Sequence, residues 1–166
     1  MQLFKKILFP VDLSHISPKI ASYVSEVASK FEGEVHLLFV VDVLSHLTNT
    51  HLPHPTTENL EAEVAGEAEK RLQEFRKASF KFDSCKAKVV LGKPAEEILK
   101  YAKLEKIDLI IIGTHGRTRI ASVRYGGVVE RIVRNSPVPV LSVNPYGRSE
   151  DRESRSLEDS NCVSFR

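Results

Sequence analysis

Asp12 closes the apolar run Ile7-Leu8-Phe9-Pro10-Val11. A later apolar run, Leu109 to Ile112, closes on Gly113 and opens a loop punctuated by Gly116, Gly126 and Gly127. Glycines let main-chain amides approach an anion closely. A helix beginning beside Gly126 would add unpaired N–H groups and a partial positive charge. Residues 113 to 135 hold five arginines (117, 119, 124, 131, 134) and one acid, Glu130, a local net charge of +4 against +2 for the whole chain. That contrast points to a phosphate-binding corner. Asp12 reads two ways: as a ligand-facing acid at a strand's carboxyl end, which is preferred here, or as the cap of a turn before Ser14 or Ser17. His115 could contact phosphate or act as an acid or base. No partnered nucleophile is evident, so phosphate contact or a loop role is preferred and no catalytic residue is assigned.

These residues need strands that end beside one another. Short apolar runs alternate with helical patterns along the chain. After Ile7–Val11, Ser17-Pro18 reads as a helix start with Ser as N-cap and Pro at the first helical position. Ile20, Val24, Val27, Ala28 and Phe31 follow at helical spacing, and Gly33 stops that helix. Val35 to Val41 is the second strand. Residues 42 to 56 are a loop broken by Pro53 and Pro55. A long helix follows, with Leu60, Val64, Ala68, Leu72 and Phe75 on one face. Its many glutamates read as a solvated surface. Val89-Val90-Leu91 centres a third strand, and Gly92-Lys93-Pro94 turns into a helix carrying Ile98, Leu99 and Ala102. Leu109 to Ile112 is the fourth strand. A helix spans Val128 to Arg134 with Asn135 as its C-terminal cap, and Val138 to Val143 is the fifth strand. Continuous apolar strands separated by helices predict a parallel sheet covered on both faces. Right-handed crossovers favour an open, doubly wound α/β sheet, and five strands are too few for a barrel.

The chain has 166 residues, enough for one domain with a short extension. A domain of this size buries roughly 70% of its unfolded surface, so it needs no covalent staples. Hydrophobic residues at 42% and charged residues at 28% are ordinary for a globular protein. A net charge of +2 excludes a globally basic nucleic-acid binder, and no nucleic-acid partner is expected. The longest apolar run, Leu37 to Val41, cannot cross a membrane, and the amino-terminal residues lack a signal peptide's apolar stretch. Two cysteines, Cys85 and Cys162, make no disulfide framework. The expected setting is soluble, reduced and cytoplasmic, with no membrane partner.

The spacing Gly113-x2-Gly116-x9-Gly126 resembles the nucleotide-binding signature of the universal stress protein family. Asp108 to Thr118 resembles that family's fourth strand and loop, Gly126 to Arg134 its last helix, and Ser136 to Val143 its closing strand. Ile7 to Asp12 and His36 to Asp42 match its front strands. The resemblance spans residues 4 to 144 and defines a domain over 1–145, with a polar extension over 146–166.

The resemblance implies a five-stranded parallel sheet in order 3-2-1-4-5, Rossmann-like and of the adenine-nucleotide alpha hydrolase-like kind. ATP or AMP would sit at the reversal between strands one and four, and a divalent metal could accompany ATP. Carried over by position, Pro10, Val11 and Asp12 would border the adenosine, with Asp12 as its polar anchor. Val40 would flank the adenine, partly through its backbone. Ile112 and Gly113 end the fourth strand, with Gly113 at the ribose. His115, Gly116, Arg117 and Thr118, with Gly126, Gly127 and Val128, would wrap the phosphates. Gly127 departs from the family pattern, which carries Ser or Thr there. A hydroxyl is missing, so adenine-nucleotide binding is expected while a preference for ATP over AMP is not assigned. Arg119 replaces a common glycine and could supply a charge-assisted phosphate contact or point to solvent.

Other functions lack their motifs. No P-loop and no Gly-x-Gly-x-x-Gly after strand one occurs. Asp12 stands without the second acid of a receiver domain, Asp12-Leu13-Ser14-His15-Ile16 is a poor flavin phosphate loop, and no nucleophile elbow is present. Three readings therefore remain: an adenine-nucleotide-binding stress or regulatory protein, a dimeric interaction module with a degenerate pocket, and a weak ATP hydrolase. The first is preferred, and enzyme activity beyond slow hydrolysis is not expected.

His46, His51 and His54 lie in a Pro-broken loop without fixed spacing, so no metal site is assigned. Cys85 reads as a small buried or half-buried residue. From Gly147 to Asn161 the one large apolar residue is Leu157, a composition that favours a flexible extension. Strand five, Val138 to Val143, is an edge strand with apolar character, a liability unless covered. Pairing with a two-fold mate would cover it, and the resemblance implies the same homodimer, with Pro139 limiting part of that edge. A charge at Val140 is expected to break it.

Overall fold

Among the described residues, nine elements alternate along the chain. They are β1 (Lys6–Pro10), α1 (Ser17–Phe31), β2 (Glu34–Val41), α2 (Thr57–Ser79), β3 (Cys85–Leu91), α3 (Pro94–Leu104), β4 (Leu109–Gly113), α4 (Gly127–Asn135) and β5 (Val140–Val143). The computed structural model describes residues 4–42, 57–114 and 127–146. The strands form one parallel sheet in the order β3-β2-β1-β4-β5, the order implied by the resemblance.

The middle strands are mostly apolar because each buries both faces, with His36 of β2 a buried polar exception. Ile7, Phe9, Val35, Leu37, Phe39 and Ile111 face one layer, where α1 supplies Ile20, Val24 and Ala28 and α2 supplies Ala68 and Leu72. Leu8, Leu38, Ile110 and Ile112 face the other, where α3 supplies Ile98, Tyr101 and Ala102 and α4 supplies Val129 and Ile132. Of the predicted faces, Ile20, Val24 and Ala28 of α1, Ala68 and Leu72 of α2, and Ile98 and Ala102 of α3 are these buried ones, whereas Leu99 is only half-buried and lies outside the layer. The periodic pattern did not mark Tyr101, which the second layer buries with its hydroxyl bonded.

Three boundaries differ from the sequence reading. Ser17 is inside α1, and Ile16 is the residue before the helix, with no side-chain cap. Ser17 is only 2% exposed because its hydroxyl turns back to Asp12. Gly33 does not take the left-handed position after α1. Glu32 takes it, with φ 50°. Gly33 is needed for space: a Cβ there would lie 2.7 Å from the Phe4 carbonyl oxygen. β5 begins at Val140 rather than Val138. Proline has no N–H, so Pro139 joins the ladder through its carbonyl alone, accepting from Ile110 N at 3.0 Å.

Asp108 staples the amino end of the sheet. Its Oδ2 accepts the main-chain N–H groups of Lys5 and Lys6 at 3.0 and 2.8 Å. Those lysines then reach in opposite directions to helix ends. Lys5 Nζ donates to the carbonyls of Phe31 and Glu32 after α1, and Lys6 Nζ donates to that of Glu105 after α3. Both place a cation where the helix dipole is negative. Cys85, opening β3, is buried, and that burial pushes its thiol up to about 11.

Candidate functional site

β1 and β4 are neighbours at the centre of the sheet, and the order reverses between them. From β1 the chain builds outward through β2 and β3. From β4 it builds the other way through β5. The helices that follow β1 and β4, α1 and α4, pack on opposite faces of the sheet, and in open α/β sheets such a reversal is where a ligand crevice forms beyond the carboxyl ends of the strands.

Pro10 ends β1 at half-burial, and Val11 continues the ladder by donating to the Leu38 carbonyl at 2.9 Å. The Val11 side chain is buried in the α1/α2 layer, so only its main chain is available at the rim. Asp12 comes next. Its Oδ1 accepts from the Ser14 amide at 3.0 Å and from the Ser17 hydroxyl at 2.8 Å. Leu13, between them, is held at φ 56°, a conformation that costs a non-glycine residue about 1 kcal/mol. The turn-capping role weighed for Asp12 is thus present. It fixes the carboxylate at the strand end, so that any ligand would meet an acid already oriented.

Val40 is half-buried and packs on the α3/α4 layer, the same layer that holds Ile112. The two flank β1 from its two neighbouring strands and form an apolar wall on one side of the reversal. Gly113 pairs with Val143, and Thr114 N donates to the Val143 carbonyl at 2.9 Å, which carries β4 one residue further toward the crevice. Gly127 is the first residue of α4. It is exposed, as is Val128. A Cβ on Gly127 would meet nothing within 4 Å among the described residues. Its glycine therefore answers no steric demand there. His115, Gly116, Arg117, Thr118 and Gly126 lie outside the described residues.

The arginine excess divides on inspection. Arg131 Nη2 lies 3.4 Å from Glu96 Oε1, and Arg134 Nη2 lies 2.9 Å from Glu130 Oε1. Both pairs are exposed: Arg131 reaches across to α3, whereas Arg134 pairs along α4 itself with Glu130 of the first turn. Arg117, Arg119 and Arg124 are outside the described residues. Asn135 Nδ2 donates to the Arg131 carbonyl at 2.8 Å, closing the helix as expected.

Ser17 was read as a helix cap, and its bond to Asp12 is a use that propensity did not reveal. The signal was the run Asp12-x-Ser14-x-x-Ser17, in which one carboxylate oxygen can reach both partners. Among the described residues no group of three His, Cys, Asp or Glu could hold a metal ion, and no helix is long and apolar enough to cross a membrane.

The family model described as the universal stress protein family matches residues 3–144. A universal stress protein of Methanocaldococcus jannaschii is 33% identical over 143 residues, covering 85% of this chain and 82% of that one. A second from the same archaeon is 31% identical over 157 residues, covering 85% and 95%. A solved structure of that second protein superposes with a TM-score of 0.71 at 29% identity, over 88% of this chain and 99% of the other. A universal stress protein crystallised in complex with cAMP shares the fold, with a TM-score of 0.57 at 21% identity over 86% and 98% of the chains.

Proposed function

The chain belongs to the universal stress protein family, and from that premise we propose that it binds an adenine nucleotide at the β1/β4 reversal. The observation that carries the reading is Asp12, oriented by Ser14 and Ser17 at the end of β1, beside the apolar wall of Val40 and Ile112. An adenosine needs that combination: an apolar surface for the base and a fixed acceptor for its hydroxyl or amine hydrogens. Pro10 and the Val11 main chain complete the adenosine side, and Gly113 leaves room for the ribose. The amides of Gly127 and Val128, at the start of α4, are available to a phosphate. His115, Gly116, Arg117, Thr118 and Gly126 belong to the same proposed phosphate loop. The related fold in complex with cAMP lends support from the ligand side.

AMP and ATP are both candidates. A divalent ion would arrive on the phosphates of ATP, with Asp12 a carboxylate at the rim. The biological role in this reading is stress response or regulation, through a change of state on nucleotide binding. We further propose a homodimer through β5, whose Leu141 is 42% exposed on the sheet edge.

The test is to denature freshly purified protein and identify any released nucleotide by chromatography and mass spectrometry. Calorimetric titration with ATP and AMP follows, with Asp12→Ala as control. Stoichiometric AMP or ATP, or micromolar binding lost in the control, is the expected result. No release and no binding would leave the dimeric interaction module as the better description.

A further inference from the structure

The candidate nucleotide site lies at the carboxyl ends of the strands. A separate polar cluster is buried toward their amino ends. His36, the third residue of β2, is 0% exposed and aligns with Leu8 of β1 on one side and Lys86 of β3 on the other. Its Nδ1 lies 2.9 Å from the hydroxyl of Tyr101 on α3, and the two rings meet edge to face at 5.9 Å. Its Nε2 lies 3.5 Å from Glu34 Oε1, which is itself 2.6 Å from Lys86 Nζ.

Nε2 makes no hydrogen bond, but it faces the negative charge of Glu34 at 3.5 Å, which favours the neutral ring with its proton on Nε2. Nδ1 then accepts the Tyr101 hydroxyl hydrogen. A second proton would go on Nδ1, where the Tyr101 O–H already points. The phenol must then turn its hydrogen away and lose its acceptor, and a charged imidazolium is left fully buried. Both costs fall on the closed packing of α3 against β2.

We propose that His36 and Tyr101 form an acid-released latch between β2 and α3, shut while the imidazole is neutral and loosened when it takes up a proton.

The groups around the ring come from every element packed on it. They are Glu34 of β2, Lys86 of β3, Lys6 of β1, and Tyr101 of α3 with Glu105 just after it. Lys88 of β3 lies 5.6 Å over the Tyr101 ring. Burial is the largest influence and, with Lys86 and Lys6, opposes the proton, while Glu34 and Glu105 favour it; the net effect holds His36 below the ordinary histidine value of 6.5. The hydrogen bond from Lys86 holds Glu34 below the usual carboxylate range, and burial pushes Tyr101 up to about 12. Between pH 7.5 and 5.5, His36 is therefore the member of the His36–Glu34–Tyr101 group that changes charge. Because its value is depressed in the closed state, the open state binds the proton more tightly. The latch is fully shut above 6.5 and loses ground as pH falls below it. One linked proton raises the opening equilibrium by at most about tenfold from pH 7.5 to 5.5.

Hydrogen exchange of the full chain tests this, with rates at the two pH values corrected for intrinsic chemistry. The opening of residues 94–104 should rise measurably relative to α1, by up to about tenfold. His36→Asn, which cannot titrate but keeps a polar atom for Tyr101, should abolish that rise. Equal acid responses in α3 and α1, or an unchanged response in the variant, would overturn the latch. Should His36→Asn not fold, nitrogen-15 shifts of the wild-type ring decide. A neutral ring protonated on Nε2 at pH 6.5 supports the latch, whereas an imidazolium or a proton on Nδ1 overturns it.

Discussion

Ser17 Oγ donates to Asp12 Oδ1 across 2.8 Å, and this bond ties the end of β1 to the first turn of α1. It joins two segments that sequence alone separates by a turn, and it orients the Asp12 carboxylate at the rim. Ser17→Ala should cost about 1–2 kcal/mol of stability, since it leaves a partly buried carboxylate oxygen with one donor fewer. Nucleotide affinity should fall severalfold while the site remains formed. Urea unfolding and calorimetry on the same variant read both effects, and unchanged affinity would separate Ser17 from the site.

The staple at the opposite end is structural. Asp108→Ala removes the acceptor for two main-chain amides, those of Lys5 and Lys6. A loss of about 2 kcal/mol in urea unfolding is expected, with nucleotide affinity unchanged. Asp108→Asn keeps one acceptor oxygen and should cost about half as much.

The turn after α1 predicts opposite signs at adjacent residues. Gly33→Ala drives a Cβ to 2.7 Å from the Phe4 carbonyl oxygen, which is backbone and cannot swing aside, so it should destabilise by about 1–3 kcal/mol. Glu32→Gly removes a side chain from φ 50° and should stabilise by up to about 1 kcal/mol. The Glu32 pairing with Lys5 is lost, but that carboxylate is 83% exposed, where such pairs contribute little. Thermal unfolding that moved both variants in one direction would contradict this account of the turn.

Gly127→Ser restores the hydroxyl that the family pattern carries. Because a Cβ there meets nothing within 4 Å among the described residues, the melting temperature should stay within about 2 °C, no more than the shift of a 1 kcal/mol change. The ratio of ATP to AMP affinity should rise. An unchanged ratio would show that Gly127 does not set phosphate preference.

For the homodimer, the useful substitution is Leu141→Glu rather than Val140→Glu. Val140 is half-buried and packs on the α3/α4 layer, so a charge there would damage the fold along with any interface. Leu141 is exposed at the edge and can be changed without touching that layer. Light scattering should find a dimer for the natural chain and a monomer for Leu141→Glu. Dimers in both would place the interface elsewhere.

The sequence by itself determined the class of fold. Its apolar runs, set apart by helical patterns, require a sheet buried on both faces, and Ile7-Leu8-Phe9 and Leu109 to Ile112 occupy the centre that such runs must occupy. The family followed from motifs in order, because glycine spacing and strand-end residues are local signals. Only the tertiary structure decided the partners of side chains that have more than one local use. Ser17 has the right identity for a cap, yet Asp12 captures its hydroxyl. Gly33 has the identity of a helix stop, yet the approach of Phe4 is what excludes a larger residue. His36 and Tyr101 lie 65 residues apart and meet through the packing of α3 on β2. Propensity is a property of a few neighbours in the chain. Hydrogen bonds and steric exclusion are decided by whichever atoms the sheet brings within 3 Å, and that choice exists only once the layers have closed.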